Sequence, residues 1–341
     1  MGTKTLQESP GYRHFEVNSR LRYFKPADSK TQKTFAQEIT RSLNQKQKSI
    51  SPKFFYDIKG SQLFEKICKL PEYYLTRTET KLLEQIGQEI EPFLQKNIRL
   101  VELGSGSATK TRLLLDVLTK IQEKTEYFPI DISDILQESS EKLLQDFESL
   151  SITGIIDTYE GGLEFLENYD DKPNLIAFLG SSFGNFTPEF GFAFLQEISS
   201  TMKEDDLFFI GIDLVKDKKV LEDAYDDSQG VTASFNLNVL SRINYEMNAD
   251  FDISKFEHHS KYNSEKQRIE MYLRSLEAQT VQIKKADLSL KLEKNELIHT
   301  EHSHKYSVSQ IETLLHKAGF KIEKHWQDKS KPYALFLAGK N

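Results

Sequence analysis

The stretch IRLVELGSGSATK, residues 98–110, gives the strongest indication of the fold. Its apolar first part, Ile98 to Leu103, predicts a short buried strand, and Gly104 and Gly106 then allow a tight backbone turn. The residues that follow, TKTRLLLDVLTKI, have the apolar spacing of an amphipathic helix. A strand that passes through a glycine turn into a helix is typical of open α/β sheets, in which ligands bind at the carboxyl edge of the strands.

The same alternation continues towards the C-terminus. Apolar strands are predicted in TEYFPIDIS, LIAFLGSSFGNF and DLFFIGIDLV, with helical patterns between them. Strands that lack polar alternation and are separated by helices indicate a parallel sheet covered on both faces. We therefore predict an α/β fold with a doubly wound, Rossmann-like domain at residues 78–213.

The flanking regions have different patterns. After Lys216 a helical stretch is followed by longer, alternating strands, so residues 214–303 are predicted to form a second, mixed α+β domain inserted into the first. Residues 304–341 are expected to return to the sheet domain, and residues 1–77 to join the insertion. The sequence TRTE at residues 76–79 predicts a capping box at the start of a long helix.

Composition limits the functional classes. The chain has 341 residues and a net charge of −7, which argues against binding to the phosphate backbone of nucleic acids. No apolar run approaches the roughly 20 residues of a membrane helix, and no signal peptide is recognisable. The single cysteine, Cys68, excludes an intrachain disulfide bond and fits a reducing compartment. We expect a cytoplasmic monomer that binds neither nucleic acid nor membranes.

The glycine loop also indicates which cofactor is bound. A dinucleotide fingerprint needs a third glycine near position 109, where this chain has Thr109. Asp131 ends the second strand, where a carboxylate can accept hydrogen bonds from a ribose diol. This combination favours S-adenosylmethionine over NAD, and a simple strand-to-helix turn is the alternative without function. Asn185 closes the third strand as either a ligand contact or a turn residue.

Longer motifs support a more specific interpretation. PEYYLTRTE and AYDDSQGVTASFNLNVL, together with FLGSSFGNFTP, GIDLVKD, RIEMYLR and TEHSHKYS, occur in one order between residues 50 and 310. They resemble the histidine Nα-methyltransferases of ergothioneine biosynthesis, whose wider family includes fungal enzymes that methylate tryptophan-derived amines. The resemblance implies a class I methyltransferase fold, S-adenosylmethionine as methyl donor and a small amino-acid substrate.

The resemblance further implies residue roles. Tyr56, Gly104, Lys110 and Asp131 would hold the methyl donor, and the substrate would contact Tyr73, Gly180, Asn185, Tyr225, Met271, Glu301 and Ser303. We expect Tyr56 and Asn185 to orient the amine in catalysis, and Tyr225 to bind the carboxylate.

One position departs from the family pattern. Many relatives have Asp-Phe or Asp-Tyr where the adenine amino group is bound, whereas this chain has Thr158-Tyr159, with Asp157 one residue earlier. We assign Thr158 and Tyr159 to the donor site, and the adenine contact itself stays open.

The stretch HTEHSHKYS, residues 299–307, concentrates histidines and poses a choice between a metal site and a substrate pocket. Strand alternation predicts His299, Glu301 and Ser303 on one face and His302 and His304 on the other. Two histidines are too few for a zinc site, which needs three or four ligands. A carboxylate and a hydroxyl on one face match the two nitrogens of an imidazole. We predict no metal and a histidine-ring pocket, with a solvated strand or a metal site as alternatives.

The resemblance therefore implies an N-methyltransferase that converts the α-amine of L-histidine to the trimethylammonium group of hercynine. The nearest alternative is methylation of another aromatic amino acid or amine, such as a tryptophan derivative. A remote alternative is a non-catalytic ligand- or metal-binding protein that uses His258, His259, His302 and His304.

Overall fold

The computed structural model describes residues 11–27, 35–94, 97–106, 108–132, 135–330 and 332–341. Its strands are β1 (Tyr12–Asn18), β2 (Leu21–Pro26), β3 (Arg99–Leu103), β4 (Thr125–Ile130), β5 (Leu150–Ile155), β6 (Asn174–Phe178), β7 (Leu207–Asp213), β8 (Phe256–Asn263), β9 (Arg268–Ser275), β10 (Gln279–Ile283), β11 (Leu288–Leu292), β12 (Leu297–His304), β13 (Phe320–Asp328) and β14 (Tyr333–Lys340). Its α-helices are α1 (Phe35–Leu43), α2 (Ile58–Ile67), α3 (Tyr74–Ile90), α4 (Thr109–Ile121), α5 (Ile135–Asp146), α6 (Tyr159–Glu167), α7 (Pro188–Thr201), α8 (Lys218–Tyr225), α9 (Val231–Met247) and α10 (Val308–Lys317).

Nine strands form the large sheet, in the order β1-β2-β5-β4-β3-β6-β7-β14-β13. Strands β3 to β7 pair in parallel, whereas β14 is antiparallel to both β7 and β13. Strands β4 and β5 lie on one side of β3, and β6 and β7 lie on the other, so the strand order reverses between β3 and β6. This position is the topological switch point, where open α/β sheets bind ligands. The predicted doubly wound α/β fold is confirmed.

The central strands are buried on both faces, which explains their lack of polar alternation. In β6, Ile176 and Phe178 belong to the core on one side of the sheet, and Leu175 and Ala177 to the core on the other. Helices α3, α4 and α5 bury their apolar faces on one side, and α6, α7 and α10 on the opposite side. The result is a three-layered domain with the carboxyl ends of β3 to β6 at one edge.

A second apolar core lies beyond that edge. It is formed by α1, α2, α8 and α9 together with the three-stranded antiparallel sheet β12-β9-β8 and the β10-β11 hairpin. The strongest helix contact here is between α2 and α9, so residues before the large sheet pack against the inserted residues. The β1-β2 hairpin instead extends the large sheet beside β5. The division at residues 77, 213 and 303 remains a prediction.

Within the part of the chain that is described, no helix combines the length and the apolar character needed to cross a membrane.

Candidate active site

The loops at the carboxyl edge of the large sheet form the first half of the site. Gly104, directly after β3, has φ +77, a left-handed conformation that suits glycine. A Cβ at this position would lie 2.7 Å from Tyr159 Oη, so any larger residue would collide with the start of α6. Asp131 follows β4 on the neighbouring strand. The glycine loop and the acid are therefore adjacent, as predicted.

This edge fits S-adenosylmethionine. The loop is open at Gly106, where an added Cβ would meet nothing within 4 Å. The half-buried carboxylate of Asp131 can accept hydrogen bonds from a ribose diol, and the Lys110 ammonium can pair with the amino-acid carboxylate of the donor. The chemistry of these groups matches two parts of the donor, its ribose and its amino-acid carboxylate.

Glu79 is a residue of this edge whose role the sequence did not reveal. The prediction of a capping box at residues 76–79 is wrong, because α3 already begins at Tyr74 and Glu79 lies inside the helix, fully buried. Its carboxylate accepts hydrogen bonds from Lys110 Nζ at 2.8 Å, from the Gly180 backbone N–H at 2.9 Å and from Tyr333 Oη at 2.7 Å. Glu79 thus fixes Lys110 and the loop after β6 relative to each other.

The loop after β5 is also held by local contacts. Thr158 caps α6, since its Oγ1 accepts from the Gly161 N–H at 3.2 Å. Asp157 accepts from the Thr158 N–H at 2.7 Å and from Tyr12 Oη at 2.6 Å, which brings the N-terminal hairpin to this corner. Tyr159 faces the glycine loop, as the contact with Gly104 requires. Their assignment to the donor remains a prediction.

The second half of the site is a pocket between the large sheet and the second core. All the predicted substrate residues and Tyr56 line it: Tyr73, Gly180, Asn185, Tyr225, Met271, Glu301 and Ser303. Sequence reasoning missed further lining residues, namely Phe64, Ile67, Ser181, Ser182, Ala224, Thr232 and Phe235. Apart from the three serine and threonine residues, these are apolar side chains of a kind that occurs throughout any core, so no local signal separates them.

Asn185 reaches the pocket through a close contact between the two halves of the site. It ends a short 3-10 helix, Ser182–Asn185, that packs against β12. A Cβ at Gly184 would lie 2.8 Å from the backbone oxygen of His304, so only glycine permits this approach. The close contact places Asn185 beside the pocket wall that carries Ser303.

Glu301 provides a carboxylate in the pocket wall. Its side chain is buried, and it has no hydrogen-bond partner among the described residues. Burial raises the pKa of Glu301 to about 7, against the opposing effect of the Lys305 ammonium. The carboxylate lines the pocket, where a ligand N–H can complete its hydrogen bonding.

A pair of hydroxyl groups lies next to this carboxylate. Tyr225 Oη is 2.9 Å from Ser303 Oγ, and both groups are buried. Burial raises the pKa of Tyr225, so the phenol is neutral at physiological pH. The fully buried Lys305, which the sequence reasoning did not single out, bonds to both hydroxyls.

The histidines of β12 require one correction. His299 was predicted on the face of Glu301, but Thr300 is an extra residue in the pairing with β9, so the strand is bulged there. A bulge shifts the alternation by one residue, and the His299 ring stacks on that of His302 at 5.5 Å instead. Glu301 and Ser303 both lie after the bulge, so they keep their common face. Accordingly, both line the pocket.

His258 is used within the protein fold. His258 has ring nitrogens 2.8 Å from Asn236 Nδ2 and 2.9 Å from the Tyr225 backbone oxygen, so it supports the strand and helix behind the pocket. The alternative of a metal site is a separate question. Among the described residues, no group of three or more His, Cys, Asp or Glu side chains is arranged to hold a metal ion.

The fold and the two halves of the site define an S-adenosylmethionine-dependent methyltransferase. The chain matches the family model "Histidine-specific methyltransferase, SAM-dependent" over residues 35–340, and it belongs to that family. The resemblance found in the sequence is thereby confirmed, and the methyl donor is S-adenosylmethionine.

Individual relatives agree with this assignment. The chain is 37% identical over 302 residues to the histidine N-alpha-methyltransferase of Mycolicibacterium smegmatis, covering 88% of this chain and 93% of the relative. It is 28% identical over 297 residues to ergothioneine biosynthesis protein 1 of Schizosaccharomyces pombe, covering 84% and 38%. It is 26% identical over 286 residues to an L-tryptophan methyltransferase of Psilocybe serbica, covering 77% and 80%.

Proposed function

We propose that the protein transfers methyl groups from S-adenosylmethionine to the α-amine of L-histidine, forming hercynine after three transfers. The observation that carries this proposal is the pair Glu301 and Ser303 in one pocket wall. The similarity to a histidine N-alpha-methyltransferase and to an ergothioneine biosynthesis protein supports it.

The pair matches the ring of histidine. A neutral imidazole has one N–H donor and one acceptor nitrogen, so Glu301 can accept from the first and the Ser303 hydroxyl can donate to the second. An indole offers one N–H and no acceptor nitrogen, which leaves the hydroxyl without a partner. A site built for a ligand's hydrogen-bonding groups rejects analogues that lack them. The arrangement therefore favours histidine over tryptophan, although a relative methylates the latter.

The remaining pocket residues have roles in orienting the amino-acid end. Tyr225 would bind the carboxylate by turning its O–H from Ser303 to the ligand, Tyr73 would cover the pocket, and Met271 would pack against the ring. Tyr56 and Asn185, which line the pocket, would direct the lone pair of the amine. Holding the two reacting groups in line in this way can contribute several kcal/mol to lowering the barrier.

Bound S-adenosylmethionine supplies an electrophilic methyl group on a sulfonium. The chain itself must present a neutral amine, and an ordinary α-amino pKa of about 7.7–8.0 allows proton loss to water without a strong base. Gly104, Lys110 and Asp131 would hold the donor, with Thr158 and Tyr159 at its adenine end. Gly180 would lie between donor and amine.

Mass spectrometry of the reaction products tests the proposal. Purified protein is incubated with S-adenosylmethionine and histidine, and in parallel with tryptophan. We expect histidine to gain the mass of one, two and finally three methyl groups, and tryptophan to gain none at equal concentration. Absence of any methylated histidine would refute the proposal, and preferential methylation of tryptophan would favour the alternative.

A monomeric state in the cytoplasm is part of the same proposal. The net charge of −7 supports independence from nucleic acid. Size-exclusion chromatography with light scattering is expected to give the mass of a single chain, 39.5 kDa.

A further inference from the structure

A buried charged cluster lies directly behind the pocket wall. It consists of Asp213 at the end of β7, Lys305 just after β12, Lys216, and the hydroxyls of Tyr74 and Tyr225. The side chains of Lys305 and Asp213 are completely buried, and Lys305 Nζ lies 2.8 Å from Asp213 Oδ2. Charged groups are rarely buried so fully unless they are paired and hydrogen-bonded.

The cluster contains one more cation than its carboxylate requires. Asp213 also binds Lys216 and accepts from Tyr74 Oη at 2.6 Å. Burial alone would raise the pKa of Asp213, but the ammonium groups of Lys305 and Lys216 outweigh it and keep the pKa low. Burial would lower the pKa of Lys305, but Asp213 outweighs this effect, so Lys305 stays charged. One lysine would suffice to neutralise Asp213, so the second calls for another explanation.

The three hydrogen bonds of Lys305 supply that explanation. Besides Asp213, its ammonium contacts Ser303 Oγ at 2.9 Å and Tyr225 Oη at 3.1 Å. An ammonium can only donate, so both hydroxyl oxygens must accept from it. The hydroxyls also bond to each other at 2.9 Å, which uses one of their two hydrogens. One O–H is left, and the nearest space for it is the pocket that both residues line.

We propose that Lys305 is a specificity-determining positioning residue: by donating to Ser303 and Tyr225, it makes this wall of the pocket a hydrogen-bond donor that selects an amino acid with an acceptor nitrogen in its ring. This inference rests on the proposed function, because it concerns how the same pocket distinguishes histidine. Without the ammonium, either hydroxyl can turn its hydrogen to its neighbour and present a lone pair to the ligand. The wall would then offer a lone pair as readily as an O–H, and its preference for an acceptor nitrogen would weaken.

The charge of Lys305 also acts on the opposite contact. Glu301 faces Tyr56, Tyr73 and Tyr225 in the pocket, and burial keeps these three phenols neutral by raising their pKa values. Burial raises the pKa of Glu301, and Lys305 is the cation that opposes this rise. Lys305 therefore helps to keep Glu301 an acceptor for the ring N–H while it keeps Ser303 a donor.

The test compares Lys305→Met with Lys216→Met. Both variants remove a buried lysine from Asp213, but Lys216 bonds to Tyr74 and the Leu214 backbone and not to the pocket hydroxyls. Affinities for histidine and for phenylalanine, which has no ring nitrogen, are measured by calorimetry with S-adenosylhomocysteine present. We expect the histidine-to-phenylalanine affinity ratio to fall about tenfold or more in Lys305→Met and to stay unchanged in Lys216→Met. An equal change of the ratio in both variants would overturn the proposal.

Two further measurements exclude a purely structural effect. In a Ser303→Ala background, Lys305→Met should change the ratio less than it does in the wild-type background, because one of the two hydroxyls through which Lys305 acts is gone. In Lys305→Met the pH below which histidine affinity declines should move upward, since Glu301 loses the cation that lowers its pKa. Additive effects of the two substitutions, or an unmoved pH profile, would contradict the proposed role.

Two outcomes need separate treatment. If Lys305→Met does not fold, Lys305→Met combined with Asp213→Asn and Lys216→Met removes the three charges of the cluster together, so that no buried charge is left unpaired. The same loss of discrimination is expected, and an unchanged ratio in that variant would end the proposal. Histidine binding by the wild-type protein with an unchanged ratio in the variants would remove this inference alone. Failure of the wild-type protein to bind histidine would remove the proposed function as well.

Discussion

The two halves of the site differ in how their polar groups are satisfied. At the donor edge, Glu79 has protein partners for both oxygens, and Thr158 caps a helix. In the pocket, the Glu301 carboxylate has no hydrogen-bond partner among the described residues. The Ser303 hydroxyl bonds to Tyr225 and also lines the space for the ligand. The polar groups of the donor edge are already hydrogen-bonded within the protein. Those of the pocket need a ligand with matching hydrogen-bonding groups, so the pocket determines substrate specificity.

Substitutions at the donor edge should therefore lower the free energy of unfolding, and Glu79→Ala is expected to have the largest effect. The substitution leaves the Lys110 ammonium, the Gly180 N–H and the Tyr333 hydroxyl without their acceptor. Breaking a buried pair in this way costs about 3–5 kcal/mol. Chemical denaturation should show this loss, and calorimetry should show weaker binding of S-adenosylhomocysteine.

The matched control for Glu79 is Glu84→Ala. Glu84 is exposed on the same helix, so its removal should change the free energy of unfolding by less than about 0.5 kcal/mol. Similar losses for the two variants would mean that helix propensity, and not the contacts of Glu79, sets the stability of this edge.

Substitutions in the pocket should change ligand affinity more than the free energy of unfolding, and Glu301→Ala tests this expectation. Removal of a charge-assisted hydrogen bond should weaken histidine binding by about 1.5–3 kcal/mol. The unfolding free energy of the ligand-free protein should not fall by a comparable amount, because no partner in the protein loses its contact. Glu293→Ala, at an exposed position just before β12, serves as the control. Unchanged histidine affinity in calorimetry would refute the assignment of the ring pocket.

The contrast explains what the sequence could and could not reveal. Gly104 and Asp131 follow strands directly, and Glu301 and Ser303 are two residues apart, so local periodicity is sufficient to find them. Glu79 was misread because its partners are 31, 101 and 254 residues away in sequence, while its neighbours imitate a helix cap.

His299 and Lys305 illustrate two further limits. The bulge at Thr300 depends on pairing with β9, which no pattern within β12 encodes. Lys305 looks like any basic residue after a strand until the fold brings Asp213 to it. The parallel sheet was predictable because burial on both faces leaves a continuous apolar pattern, whereas polar contacts between distant segments leave none.

The pH dependence of histidine binding separates the halves further. The pKa of Glu301 is raised to about 7 by burial, and the ionised form accepts the ring N–H more strongly than the protonated form does. Binding should be maximal above pH 7 and decline below it, approaching tenfold per pH unit, or about 1.4 kcal/mol. Binding of S-adenosylhomocysteine should not follow this profile. Protonation of free histidine contributes equally in all variants. Glu301→Gln should therefore remove the part of the pH dependence of histidine affinity that arises from the protein.

The opposite sign is expected for stability without ligand. Because the folded-state pKa of Glu301 is raised, its contribution to stability is present below the ordinary carboxyl pKa and is lost as pH rises through about 7. Glu301→Gln should therefore make the ligand-free protein more stable than wild type above pH 7 while it weakens histidine binding. A variant that is less stable at high pH would show that Glu301 has a structural partner after all.

The smallest expected effect concerns the corner where the chain departs from its relatives. Thr158→Ala removes the cap of α6 and should cost about 1 kcal/mol of unfolding free energy, whereas Thr158→Ser keeps the hydroxyl and should cost little. If Thr158 also contacts the adenine end of the donor, the alanine variant should bind S-adenosylhomocysteine more weakly than the serine variant. Equal binding by both variants would mean that another residue contacts the adenine end, and the carboxylate of the neighbouring Asp157 would be the candidate. Because Asp157 already accepts from Tyr12, a combined Tyr12→Phe variant would then show whether that hydrogen bond competes with donor binding.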